Sequence, residues 1–338
     1  MKSKKIHVSI IAIQEVVLST LAGIFDVLNS LEMLAGFDDA IPSESLFDVE
    51  ILGLEDDPVH LASGLPIQHH RKVSEVENTD IIIVPSVLLS NEGWITGRYP
   101  ELVTWLNIMH KQGALLCSAC SGVFLLAETG LFDERETTIH WSYAKSFRKT
   151  YPLVFLQPEK ALVCSGQREE LVSSGASNSW HDLVLYLIAR EIGPSVAQSI
   201  AKFFALQWHY DGLAPYMKFE VPTDHGDAVV NEAQIWLAKN FSVANPVEEI
   251  VVRSGLAERS FKRRFTNATE ISPIAYVQRL RIEDAKKRLE RTDESIDKIS
   301  WHVGYEDASY FRRLFKRITG ISPSQYRRKF NVPDYNLN

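Results

Sequence analysis

The feature that most constrains this chain is a phrase written twice, fifty residues apart. Phe261-Lys-Arg-Arg-Phe265 is followed by Ile271-Ser-Pro273 and Tyr276, and Phe311-Arg-Arg-Leu-Phe315 by Ile321-Ser-Pro323 and Tyr326. Self-similarity at a fixed separation implies two copies of one supersecondary unit. Phe residues four apart share one face of a helix, so each Phe pair is expected in a core. That burial leaves Arg259, Lys262 and Arg263 on the surface of the first copy, and Ser309, Arg312 and Arg313 on that of the second. An apolar-periodic segment and a Gly-containing break precede each copy: Ser254-Gly255-Leu256 and Gly304-Tyr305-Glu306. The pattern predicts a helix, a tight turn and a second helix, twice. Gly304 suits the turn because glycine carries positive φ at least cost.

A net charge of -7 looks wrong for a nucleic-acid partner until it is divided. Residues 227–338 hold 20 Lys and Arg against 15 Asp and Glu, a net of +5, while residues 1–226 hold 16 against 28, a net of -12. Counterion release depends on charge near the phosphates and not on the total, so a basic module on an acidic body is compatible with a duplex partner. The 338 residues allow two domains. Three cysteines, 117, 120 and 164, are too few for a disulfide framework. Lys2 and Lys4 precede an apolar run that is short and continues into Gln14-Glu15, which does not read as a signal peptide. No run approaches the length of a membrane span, and the expected location is the cytoplasm.

The first half alternates short apolar runs (6–13, 47–52, 80–85, 114–117) with helix-like patterns (16–34, 99–110, 122–131). That alternation predicts a parallel sheet covered by helices on both faces. Residues 153–157 and 161–165 flank Pro158-Glu-Lys160 and read as a hairpin, 170–173 as one more strand, and 178–191 and 194–206 as helices. The stretch 211–226, with Gly212, Pro215, Pro222 and Gly226, reads as the connection between domains. Helices are then expected at 228–240, from Pro246, and at 257–266, 273–289, 295–302 and 307–318.

Ala114-Leu-Leu-Cys-Ser-Ala-Cys120-Ser-Gly122 carries the sharpest chemistry of the first half: an apolar strand turns through small residues directly into an apolar helix. Such a corner can hold Cys120 above a helix N-terminus, and His140 follows twenty residues later, so a thiol nucleophile is the reading to be tested. Cys117 and Cys120 also spell CxxC, but Cys117 falls inside the strand, and no metal or redox role is expected. Ser173-Ser-Gly-Ala-Ser-Asn-Ser-Trp180-His181-Asp182 opens a helix with capping residues, an aromatic face and a donor.

The segment 120–141, CSGVFLLAETGLFDERETTIHW, resembles the nucleophile-elbow region of the ThiJ/PfpI, or class I glutamine amidotransferase-like, superfamily. More narrowly it resembles the version that forms the N-terminal domain of some AraC-type regulators, over roughly residues 5–210. The resemblance implies a flavodoxin-like α/β fold and sets Cys120 at the elbow. It also implies a His directly after that Cys, where this chain has Ser121, or a supporting His at the place of His140. The acidic residue that completes such sites falls on Thr20, with Glu15 close by. The set is incomplete, so no catalysis and no cofactor are expected. A ligand pocket near Cys120, His140, Trp180 and His181 is expected instead, and a Cys120-dependent hydrolase or amidotransferase with a DNA-targeting module is the alternative.

Residues 228–330 resemble the AraC/XylS-type DNA-binding domain, on Gly304-Tyr-Glu-Asp-Ala-Ser-Tyr-Phe-Arg-Arg-Leu-Phe-Lys316 and Gly320-Ile-Ser-Pro-Ser-Gln-Tyr-Arg327. That resemblance implies an all-α domain whose two helix-turn-helix units enter successive major grooves of double-stranded DNA. Carried over by position, the base-facing residues are Arg259, Lys262 and Arg263, then Ser309, Tyr310 and Arg313, with Arg312 beside them. Tyr310 replaces the small polar residue common there. The resemblance further implies a transcriptional activator that works with RNA polymerase as a homodimer, under a small-molecule effector. The expected division is 5–212, a connection at 213–227, and 228–331.

Overall fold

The computed structural model describes residues 5–44, 46–90 and 93–331, which leaves Lys2 and Lys4 outside the described residues. The chain divides after Leu213 into two compact units, Met1–Leu213 and Ala214–Asn338.

The first unit is built on seven strands: β1 Ile6–Ile11, β2 Phe47–Gly53, β3 Arg71–Lys72, β4 Ile81–Val84, β5 Leu115–Ala119, β6 Leu162–Ser165 and β7 Leu171–Ser174. Their order across the sheet is β6-β7-β5-β4-β1-β2-β3. The pairings β7–β5, β5–β4, β4–β1, β1–β2 and β2–β3 are parallel. All four residues of β4 are buried, which requires cover on both faces and explains why the strand reads as an unbroken apolar run. Helices α1 (Leu18–Asn29), α5 (Trp180–Glu191) and α6 (Pro194–Phe203) pack together, while α2 (Pro100–Gln112) and α3 (Val123–Ala127) pack together against β5. A short helix α4, Ala144–Thr150, completes this α/β unit. Among the described residues, no helix is long and apolar enough to cross a membrane.

Two local expectations are corrected. The hairpin of 153–157 with 161–165 does not form. Phe155–Leu156 runs parallel to Glu136–Thr137, and β6 pairs antiparallel with β7 at the sheet's edge. The tight reversal lies later, where Gly166 (φ 91°) and Glu169 (φ 55°) supply the left-handed backbone it needs. The helix expected over 16–34 ends at Asn29, and residues 30–37 continue as turns.

The second unit is all helical: α7 Ala228–Asn240, α8 Pro246–Ser254, α9 Glu258–Thr269, α10 Pro273–Arg291, α11 Ile296–His302, α12 Ala308–Thr319 and α13 Pro323–Phe330. It contains two cores. Val230, Leu237, Ile250, Phe261, Phe265, Tyr276 and Val277 form one. Ile282, Leu289, Ile299, Phe311, Phe315, Ile321 and Tyr326 form the other. Helix α10 contributes its first half to one core and its second half to the other, so one rigid rod carries both.

The repeated letters have repeated jobs. Thr269 Oγ1 donates to the carbonyls of Phe265 (2.8 Å) and Ile271 (3.0 Å), and Thr319 Oγ1 does the same to Phe315 (2.8 Å) and Ile321 (3.0 Å). Ser272 and Ser322 cap α10 and α13, with Pro273 and Pro323 in the first turn. The Ile-Ser-Pro motif is therefore a stop-and-restart signal. Each buried Phe is worth roughly 1.5–3 kcal/mol of transfer free energy, which is why a phrase with two of them fixes a helix face.

Candidate nucleic-acid interface and the corner at Cys120

In the first helix-turn-helix unit, α8 ends at Gly255, whose φ of 66° closes the turn into α9. Phe261 and Phe265 are fully buried beneath α9. Arg259 and Arg263 are exposed and Lys262 partly so. In the second unit the turn runs through Gly304 (φ 92°), where a Cβ would lie 2.5 Å from the Ser242 carbonyl oxygen. Both the angle and the space require glycine there. Asp307 caps α12 by accepting from the N–H groups of Ser309 (2.7 Å) and Tyr310 (3.1 Å). These bonds hold the Asp307 carboxyl below its usual range, the Tyr310 N–H contributing most. Ser309, Tyr310, Arg312 and Arg313 are exposed on the same helix.

The basic residues are not equivalent. Lys262 pairs with Glu258 on its own helix. Arg312 pairs with Asp297 of α11 at 2.5 Å. Arg259, Arg263 and Arg313 make no ion pair among the described residues and are exposed, so their donors are open to an acceptor outside the protein. Tyr310 accepts a hydrogen bond at its hydroxyl from Gln278 Nε2 of α10 (3.0 Å), which leaves its own proton to donate.

No sequence pattern marks Arg281, yet it joins the two helix-turn-helix units. It is 7% exposed and donates to three carbonyls: Phe241 (2.7 Å), Val243 (2.8 Å) and Gly304 (2.8 Å). Its guanidinium lies 4.8 Å from the Tyr305 ring centroid. The first two acceptors belong to the stretch between α7 and α8, the third to the turn before α12. One side chain thus binds the frame of the first unit to the turn of the second.

In the first unit of the chain, Cys120 has φ 53°, a left-handed backbone at a non-glycine residue, on the turn from β5 into α3. A Cβ on Gly122 would lie 2.4 Å from the Val84 carbonyl oxygen and 2.5 Å from that of Pro85, so the corner is pressed against the end of β4. The strained elbow is present, and the residues expected around it make the following contacts. Cys120 is 2% exposed, with Sγ 3.7 Å from Ser177 Oγ. Ser121 Oγ donates to the Val87 carbonyl (2.5 Å) and accepts from the Val87 N–H (3.0 Å). His140 Nδ1 accepts from Ser142 Oγ (2.7 Å), and its ring stacks on Trp141 at 4.0 Å. Burial pushes the His140 pKa down. Thr20 Oγ1 donates to Ser86 Oγ at 3.2 Å. Glu15 is taken by Arg98 and by the Tyr99 hydroxyl (2.5 Å).

Trp180 and His181 are structural in this arrangement. The Trp180 ring fills the space above Gly23, where a Cβ would lie 2.6 Å from it. His181 is buried and donates from Nε2 to the Gln207 carbonyl (2.7 Å). Asp182 accepts from the His209 backbone N–H (2.9 Å) and from its Nδ1 (2.6 Å), which ties the segment before Leu213 to the start of α5. One opening of this unit lies beyond the carboxyl ends of β1 and β4, where the strand order reverses. It is a cavity of about 280 Å³ lined by Gln14, Glu15, Leu88, Leu89, Trp94 and Arg98 among others. Of the four residues expected around a pocket, none lines this cavity.

A fold with this elbow followed by two helix-turn-helix units defines a class, and comparison with known proteins agrees. Residues 21–186 match the DJ-1/PfpI family and residues 250–329 a helix-turn-helix domain family. The chain is a DNA-binding transcriptional regulator of the HTH type, with a DJ-1/PfpI domain ahead of an AraC-type helix-turn-helix domain. It is 26% identical over 284 residues to the HTH-type transcriptional regulator CdhR of Pseudomonas aeruginosa, covering 83% of this chain and 82% of that protein. It is 36% identical over 192 residues to the uncharacterized HTH-type transcriptional regulator YdiP of Escherichia coli K12, covering 56% of this chain and 61% of that one. The crystal structure of a protein from Vibrio parahaemolyticus superposes with a TM-score of 0.50 at 18% identity, over 59% of this chain and 99% of that one, a likeness of fold.

Proposed function

We propose that the first unit is a non-catalytic sensor that controls how the second binds DNA, through a small metabolite, self-association into a homodimer, or both. The observation that carries this is the dispersal of the elbow's partners. Ser121 is spent on Val87, His140 on Ser142, and Glu15 on Arg98 and Tyr99. Cys120 Sγ meets Ser177 Oγ at 3.7 Å, and among the described residues no hydrogen bond joins it to any of these three, the groups that would act as its base or orient one. The cavity at the strand-order reversal is the place for an effector, since open α/β sheets bind ligands there.

On the DNA side, Arg259, Lys262 and Arg263 read one major groove and Ser309, Tyr310 and Arg313 the next. Arg312 positions α12 against α11 through Asp297. Arg reads guanine O6 and N7 by paired hydrogen bonds, and Tyr310 donates to a base or phosphate acceptor. The protein acts in the cytoplasm as an activator that engages RNA polymerase. The deciding experiment is a thermal-shift screen of small metabolites on the full chain, run with wild type and Cys120→Ser. Ligands that shift both proteins alike, with no ester or amide turnover by wild type, support the sensor. Turnover that Cys120→Ser abolishes would establish the hydrolase alternative instead.

A further inference from the structure

The stretch between the two units has the composition of a loose connection, yet within the second unit it is fastened along its length. Tyr216 packs edge-on against Phe330 of α13 at 5.1 Å, with Lys329 Nζ 4.9 Å from its ring centroid. The Met217 carbonyl accepts from Lys286 Nζ of α10 at 2.6 Å, and that lysine is only 5% exposed. Phe219 packs edge-on against Tyr276 at 5.3 Å, and the Arg279 guanidinium carbon lies 5.6 Å from the Phe219 ring centroid. The Pro222 carbonyl accepts from Gln234 Nε2 (2.8 Å). His225 donates from Nε2 to Gln234 Oε1 (3.0 Å) and accepts the Asp227 N–H at Nδ1 (3.1 Å). Finally Asp227 pairs with Arg264 of α9 at 2.5 Å.

These anchors run in order from the last helix of the second helix-turn-helix unit to the recognition helix of the first. His225 and Asp227 line one cavity together with Ser260, Arg263 and Arg264 of α9. Asp227 also caps α7 by accepting from the Val230 N–H (3.1 Å), so a single carboxylate starts α7 and holds α9. We propose that residues 216–227 are an arm of the DNA-binding unit, whose residues position the first recognition helix in register with the second. Leu213, the last residue of the first unit, is fully buried and its N–H bonds the Glu159 carbonyl (2.7 Å), and a turn closed by the Met217 N–H on the Ala214 carbonyl (3.3 Å) leads into the arm.

The test uses the full chain and a duplex recovered by selection from a randomised pool, with versions in which either half-site is scrambled. A Gly-Ser-Gly-Ser insertion between Ala214 and Pro215 lies ahead of every anchor. It leaves affinity for the intact duplex within about twofold. The same insertion between Val221 and Pro222 separates Phe219 from Asp227. It lowers affinity for the intact duplex about tenfold and leaves binding through the second half-site alone unchanged. Insertions with equal effects, both silent or both harmful, would overturn the proposal. Asp227→Asn serves if the second insertion unfolds the unit, because Asn still caps α7 but cannot pair with Arg264. It is expected to weaken binding about threefold or more through the first half-site only, at an unchanged melting temperature. Unchanged binding by Asp227→Asn, or a loss spread over both half-sites, would also overturn it.

Discussion

Replacing Arg281 by methionine keeps most of the side chain's bulk and removes all of its donors. The three carbonyls of Phe241, Val243 and Gly304 lose a charged donor, and the Tyr305 ring loses the cation over its face. Hydrogen bonds to a charged group are worth about 1.5–3 kcal/mol each, and the cation–π contact adds about 0.5–2. Part of this is returned as water reaches the exposed carbonyls, so the net loss is on the order of 3–5 kcal/mol. Against a domain stability of about 5–15 kcal/mol, that is a large fraction. For a unit of this size it lowers the melting temperature by roughly 15–30 °C.

The second unit's transition should be followed separately by calorimetry, because a two-unit chain need not melt in one step. Arg281→Lys keeps the charge but cannot span all three carbonyls, and should fall between wild type and methionine. Neutral acceptors make the loss nearly insensitive to salt. Gly304→Ala places a Cβ 2.9 Å from the guanidinium carbon, so its cost and that of Arg281→Met should add to less than their sum in the double variant. A shift of less than about 3 °C for Arg281→Met would refute the view that this residue holds the two helix-turn-helix units together.

Other expectations follow from the same geometry. Gly122→Ala forces a Cβ against two backbone carbonyls and should cost the first unit about 2–3 kcal/mol or its solubility, read as a lowered thermal transition of that unit or as lost soluble yield. Phe311→Ala empties the second core by about 3–5 kcal/mol and should abolish binding through the second half-site before the first, read by anisotropy on half-scrambled duplexes. Asp307 has a folded pKa held below its unfolded value, so its contribution is complete above about pH 4 and is lost as pH falls through the folded pKa. The melting gap between wild type and Asp307→Ala should therefore close in acid, and a gap that persists unchanged to about pH 2 would contradict the capping account. Cys120→Ser should leave DNA affinity within about twofold, since Cys120 touches Ser177 and lies in the other unit of the chain.

Much of this architecture was legible because strong local signals and global burial agree. The buried strands β1, β4 and β5 read as largely apolar runs and β2 as an alternating one, and the Phe pairs at four-residue spacing fixed the faces of α9 and α12. Misreading came where a local signal competed with a distant partner. Pro158-Glu-Lys160 looks like a hairpin turn, but Phe155–Leu156 finds its partner at Glu136–Thr137 instead. Helix α13 is short, but Ser322-Pro323 repeats the cap that starts α10, so the repeat itself carries its signal. Trp180 and His181 have the chemistry of a binding face, yet Gly23 and the Gln207 carbonyl claim them, and those partners lie far off in sequence. The same distance hid Arg281 and the anchored stretch 216–227, whose Gly and Pro content resembles slack chain.

The proposed role of Arg263 on α9 and Arg313 on α12 is to read DNA from two helices of one unit. Fluorescence anisotropy on a selected duplex, across a salt series, measures it directly. Arg263→Ala and Arg313→Ala should each cost on the order of 1–3 kcal/mol and relax sequence preference in different half-sites, while wild-type affinity falls steeply with salt. Sequence-specific binding unchanged in both variants would contradict the assignment of α9 and α12 as the helices that read the duplex.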